Sequence, residues 1–246
     1  MSLPAVQPYQ RIYLLSHMRA YSSLIGHILG SHPHINGYYE MHLPYTRAES
    51  LDEQLCLYGQ TESLKPDSLY LFDKLLHNDY PLDTAILEGI GNRILLSIRS
   101  PEDSLKSILH LFRAKGTDHP YADPLQASNY YIERLEALAG FSENNSGRYY
   151  YFDAELIISD SHHLLRAITR WCELDPALSG QYQTFSQTGK AGAGDSSSLI
   201  KRGMIDSSAR SHIDIPLDAE LVARAEAAYE KYRDVMLRHA KEILTL

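Results

Sequence analysis

The stretch "LLSHMRAYSSLIGHILGSHPHINGYYE", residues 14–40, changes its periodicity partway along. Ile12 to Leu15 form a short continuous apolar run, as a strand buried on both faces does, and Leu24, Ile28 and Leu29 then recur at helical spacing. Strand, loop and helix follow one another, with the loop at Ser16–Ser23. At such a junction the N–H groups of the first helical turn, backed by the helix dipole, converge on a spot suited to an anion. The loop has no glycine and no Gly-Lys-Ser or Gly-Lys-Thr, so it is not a nucleoside-triphosphate cradle. Arg19 brings a fixed positive charge, and Ser22 and Ser23 bring hydroxyl donors at the helix start. Plain N-capping would equally account for the two serines.

Further strands are expected at Leu69–Phe72, Arg93–Ile98 and Tyr149–Phe152. Helices are expected from Ser100, where Pro101 and the acidic pair Glu102 and Asp103 suit a first turn, at Ser161–Leu174, and along a long charged segment, Leu217–Leu244. Strands alternating with helices predict an α/β protein of three layers, a mainly parallel sheet with helices on both faces. The chain, 1–246, reads as a single domain. Residues 41–68 and 112–148 are long, polar and Tyr-bearing, and read as insertions that form a lid or acceptor pocket over the carboxyl ends of the sheet. Tyr38, Tyr39, Tyr45, Tyr130 and Tyr131 suit an aromatic acceptor wall, with core packing as the alternative. The segment 188–198, TGKAGAGDSSS, reads as a flexible loop.

The hydrophobic content of 44% is enough for a full core, and the net charge of −8 disfavours nucleic acid and other polyanionic partners. MSLPAVQPYQ has no basic stretch followed by a long apolar run, and no apolar run elsewhere is long enough for a bilayer, which predicts a soluble cytoplasmic protein without a membrane span. Cys56 and Cys172 match no ligand or redox spacing and read as buried, reduced thiols. His32-Pro-His34 and His162-His163 lack a second ligand pair, so no metal site is expected. Oligomeric state has no signature in the sequence.

Directly after the third strand, Arg99-Ser-Pro-Glu-Asp-Ser-Leu-Lys-Ser107 sets a guanidinium fork and, two helical turns on, a hydroxyl where both could grip one phosphate. The alternative for Arg99 is an ion pair with Glu102 or Asp103. Taken together, the two segments resemble the sulfotransferases that use 3′-phosphoadenosine 5′-phosphosulfate (PAPS). Met18-Arg19-Ala20-Tyr21-Ser22-Ser23 stands in the place of that family's Pro-Arg/Lys-Ser-Gly-Ser/Thr-Thr loop, which binds the 5′-phosphosulfate. Arg99 to Ser107 matches Arg-Asp-Pro-x-Asp-x-x-x-Ser, which binds the 3′-phosphate through its Arg and Ser. "LGSHPHINGYYE", "LFDKLLHN" and "GDSSSLIKRGMI" resemble three further segments of the family in the same order.

The resemblance implies a P-loop-like sulfotransferase fold and a metal-free transfer from PAPS as co-substrate to a hydroxyl of a small-molecule, lipid or carbohydrate acceptor. It implies that Arg19 stabilises charge on the leaving oxygen while Ala20, Tyr21, Ser22 and Ser23 help hold the 5′-phosphate. Lys74 takes the family's active-site lysine position and Glu40 that of the base, with His42 as rival, since some members use histidine. Lys201 and Arg202 could close over the 3′-phosphate. The sequence departs from the pattern at Met18, at Ser100 and above all at Tyr21, which replaces the loop glycine. Two other readings stand beside this one: a sulfotransferase-like binding protein without turnover, motivated by Tyr21, and a P-loop nucleotide kinase, whose loop and magnesium ligands are missing.

Overall fold

The computed structural model describes residues 9–116, 118–190, 198–206 and 214–246. Most of the expected flexible segment 188–198, and with it Gly194 to Ser197 of the last matched motif, lies outside these residues.

The strands β1 (Gln10–Leu15), β2 (Ile35–Asn36), β3 (Tyr70–Leu75), β4 (Asn92–Ile98), β5 (Tyr150–Asp153) and β6 (Glu242–Leu244) form one sheet in the order β2-β3-β1-β4-β5-β6. All neighbouring pairs are parallel. Leu15 lies opposite both Leu75 and Leu96, so β1, β3 and β4 end side by side and their following loops open on one edge.

The helices are α1 (Ser22–Ser31), α2 (Glu49–Thr61), α3 (Pro101–Arg113), α4 (Pro124–Asn144), the short α5 (Leu156–Ser159), α6 (Ser161–Trp171) and α7 (Ala219–His239). The side-chain period of two splits the core cleanly. Ile12 and Leu14 of β1, with Phe72, Leu95 and Phe152, pack under Ile25, Ile28 and Leu29 of α1 and under Leu164, Leu165, Ile168 and Trp171 of α6. Tyr13 and Leu15, with Leu75, Leu96 and Tyr151, pack on the other face beneath residues of α2, α3, α4 and α7 such as Leu51, Ile108, Leu135 and Met236. Helices thus cover both faces of the sheet, as the alternation predicts.

The stretches 41–68 and 112–148 carry the regular helices α2 and α4. Two expectations need correction. The last helix stops at His239, and Glu242–Leu244 form a sixth strand against β5. Cys56 lies exposed on α2, where the sequence suggested burial, while Cys172 is buried. Among the described residues no helix is long and apolar enough to cross a membrane.

Candidate active site

The loop after β1 reaches the start of α1 through two residues in the left-handed region, Arg19 at φ 67° and Tyr21 at φ 55°. Tyr21 is the residue before the helix, so it adopts the very backbone that a glycine would supply, at a cost of about 1–2 kcal/mol for a residue with a Cβ. Its ring lies against the Arg99 guanidinium, 4.5 Å from ring centroid to Cζ, a contact worth roughly 0.5–1 kcal/mol that offsets part of the strain. Ala20, Ser22 and Ser23 are buried. Both serines lie inside the helix rather than at its cap, and Ser23 Oγ accepts a 2.9 Å hydrogen bond from Lys74 Nζ. Lys74 itself is 1% exposed, near the end of β3.

The turn after β4 joins this loop. Arg19 Nε donates to Ser107 Oγ at 2.9 Å, and Arg99 Nη1 donates to the Arg19 carbonyl at 3.1 Å. Arg99 Nη2 donates to Asp103 Oδ2 at 3.1 Å, while its Nε is buried with no hydrogen-bond partner among the described residues. Ser107 is bonded to Arg19, and the ion pair offered as an alternative for Arg99 is present, with Asp103. The physical reason is reach: one helical turn brings the Asp103 carboxylate back beside Arg99.

A second group of polar side chains surrounds Glu40. Neither Glu40 nor His42 lies on a strand; the segment is irregular and His42 has φ 55°. Glu40 is 6% exposed and its Oε1 has no hydrogen-bond partner among the described residues. His42 Nε2 stands 3.7 Å and His77 Nε2 3.8 Å from that oxygen, too far for a direct hydrogen bond. Burial lowers the His77 imidazole below its ordinary range, opposed in part by the nearby Glu40 charge. Behind Glu40 the fully buried Asp73 accepts from Met41 N at 3.1 Å, Lys74 N at 2.7 Å and Tyr45 Oη at 2.8 Å. One carboxyl group thus ties the loop that carries Glu40 to the strand that carries Lys74. Tyr130 bridges the two groups, since its hydroxyl accepts from Met18 N at 2.9 Å and donates to Leu76 O at 2.8 Å.

The remaining expected residues lie elsewhere. Lys201 and Arg202 sit exposed on the short three-ten turn Ser198–Arg202, with Arg202 paired to Asp206. Tyr38, Tyr39, Tyr45 and Tyr131 are buried in the core, so of the proposed aromatic wall only Tyr130 is partly open. Sequence reasoning assigned no role to Asp73 and His77, although both stand in the "LFDKLLHN" segment; the pattern contained them without pointing at them. Arg134 had no local signal at all. It is buried on α4 and donates to Ser16 O, Leu75 O and Asn78 Oδ1, at 2.8, 2.6 and 2.9 Å.

No protein-family model and no curated protein matches the chain. Solved structures do match. The sulfotransferase domain from the curacin biosynthetic pathway aligns with a TM-score of 0.60 at 18% identity, over 90% of this chain and 98% of its own. That from the Synechococcus PCC 7002 olefin synthase aligns at 0.60 and 17%, over 94% and 98%. Mouse sulfotransferase SULT7A1, solved in complex with PAP, aligns at 0.53 and 12%, over 94% and 89%. With its six parallel strands flanked by helices, the chain has the fold of the sulfotransferases.

Proposed function

We propose that this protein is a PAPS-dependent sulfotransferase, which moves a sulfuryl group to an acceptor hydroxyl and releases adenosine 3′,5′-bisphosphate. The observation that carries the reading is the convergence of Arg19, Arg99, Ser107, Ser23 and Lys74 where β1, β3 and β4 end. The donor set fits two separate phosphates: the start of α1 with Ser22, Ser23 and Lys74 suits a 5′-phosphosulfate, and Arg99, with its buried unpartnered Nε, suits a 3′-phosphate alongside Ser107.

Sulfuryl transfer needs an in-line acceptor oxygen, charge stabilisation on the leaving oxygen and a base. Glu40, with one bare oxygen, takes the acceptor proton as that oxygen bonds to sulfur and the bond from sulfur to the 5′-phosphate oxygen breaks. Arg19 and Lys74 hold the charge left on the phosphate. His42 and His77 flank that oxygen at 3.7 and 3.8 Å, beyond direct hydrogen-bond reach. No step in this scheme calls for a metal. The helices of 41–68 and 112–148 flank the acceptor side of a single domain, and the working location is the cytoplasm.

Adenosine 3′,5′-bisphosphate should raise the melting temperature more than ADP or ATP does. At a hundredfold excess over Kd, ligand binding adds about 2.7 kcal/mol, or roughly 5–10 °C for a chain of this size. Arg99→Ala should abolish the preference for the bisphosphate over ADP. Equal stabilisation of the parent by ADP would refute the donor assignment. Bisphosphate binding without product from PAPS across an acceptor panel would favour a binding protein, a reading that the Tyr21 ring over Arg99 also supports.

A further inference from the structure

His17 lies between the two anion-binding loops, 0% exposed. Its Nδ1 is 2.8 Å from the Met18 carbonyl and its Nε2 is 2.9 Å from the Arg99 amide nitrogen. A backbone carbonyl can only accept and a backbone amide can only donate, so Nδ1 carries the proton and Nε2 is bare. Both sites of the neutral imidazole are therefore committed, one to the loop after β1 and one to the turn after β4. The following peptide is also held: Tyr131 Oη donates to the Arg99 carbonyl at 2.7 Å, and its ring meets the His17 ring edge-on at 4.9 Å.

We propose that His17 is a positioning residue that couples the two loops, so that a phosphate held by one sets the geometry for a phosphate held by the other. This rests on the donor reading above. The imidazole is sealed from solvent and acts through the backbones that carry Arg19 and Arg99. Its environment keeps it neutral: burial dominates, the neighbouring Arg99 and Arg134 charges add to the effect, and together they hold its pKa down at about 4. A protonated ring would lose the acceptor for Arg99 N and set a third cation beside two arginines.

The test compares adenosine 3′,5′-bisphosphate with the 5′- and 3′-monophosphates by calorimetry. Two phosphate sites filled by one ligand make the bisphosphate bind at least about tenfold tighter than either monophosphate, because the second contact is intramolecular, and the coupling shows in how far that advantage depends on His17. His17→Phe keeps the bulk of the ring but neither hydrogen bond. It should reduce that advantage by about tenfold while changing each monophosphate by less than about threefold. His17→Gln, whose carbonyl can stand in for Nε2, should restore part of it.

A parent that prefers the bisphosphate together with a His17→Phe variant that keeps the full preference would overturn the coupling alone. A parent without the preference would remove the donor reading and the coupling together. Should the Phe variant fail to fold, His17→Gln and His17→Asn, each able to keep one of the two bonds, should both lose part of the advantage; full retention in both would refute the proposal. Nitrogen-15 shifts of the parent at about pH 5.5 give an independent readout: a neutral Nδ1–H imidazole is expected, and a protonated or Nε2–H ring would contradict the scheme.

Discussion

Tyr21 is the residue at which sequence and geometry differ most instructively. The motif calls for glycine there because the backbone needs a positive φ, and the chain meets that need with a tyrosine at φ 55° whose ring covers Arg99. Asp73 carries the pH behaviour. Burial pushes its carboxyl up to about 7, against the downward pull of the hydrogen bonds it accepts from Tyr45, Met41 and Lys74. Between about pH 4 and pH 7 the native state therefore holds a proton that the unfolded chain has released. The stability this group contributes is complete below about pH 4 and is lost as pH rises through 7. Asp73→Asn should accordingly gain on the parent steadily between about pH 4 and pH 7, read as the difference in urea midpoints; a deficit that widens with pH would show Asp73 charged in the native protein. His17 works in the opposite sense, its contribution complete above about pH 6.5 and lost as pH falls through 4.

Helix α1 owes its position to two of its glycines. A Cβ on Gly26 would stand 2.4 Å from the Tyr38 carbonyl oxygen, and one on Gly30 would stand 2.6 Å from the Gly37 carbonyl oxygen. The helix thus lies directly on the backbone that leads into Glu40. Gly26→Ala should cost about 1–3 kcal/mol by overpacking, despite alanine's better helix propensity. Gly140, on α4, faces open space, so Gly140→Ala should instead stabilise by up to about 1 kcal/mol. Urea denaturation of the two variants checks the contrast, and a stabilised Gly26→Ala would show that α1 has room to move. The helical period of α1 is plain in the sequence, whereas the closeness of its approach is not. β6 was missed for a related reason: a three-residue edge strand takes its order from bonding to β5 rather than from a pattern of its own.

Arg134 joins distant parts of the chain. Its guanidinium binds carbonyls just beyond β1 and at the end of β3, and although burial lowers its pKa to about 10 it remains a cation. Ser16 Oγ meanwhile donates to Ser97 O at 2.7 Å, so the carboxyl ends of β1, β3 and β4 are cross-tied directly beneath the candidate site. Arg134→Met removes the charge but leaves buried carbonyls without a donor, and should cost about 2–4 kcal/mol by chemical denaturation. Arg134→Lys should recover little, since a point charge cannot reproduce the fork. A neutral Arg134→Met would mean that water replaces the guanidinium.

The layered α/β fold, the strand–loop–helix at residues 14–30 and the candidate charges Arg19 and Arg99 were readable from residue order, because strand and helix periods and the residues at strand ends are local properties of the chain, whereas Glu40 and Lys74 came only with the family resemblance. Which of those charges meet could not be read. Ser107 bonded to Arg19, Asp73 holding the Glu40 loop, His17 between two backbones and Arg134 beneath the strand ends all join residues 32 to 118 positions apart. A hydrogen bond depends on where folding brings two atoms, and no periodicity along the chain encodes that.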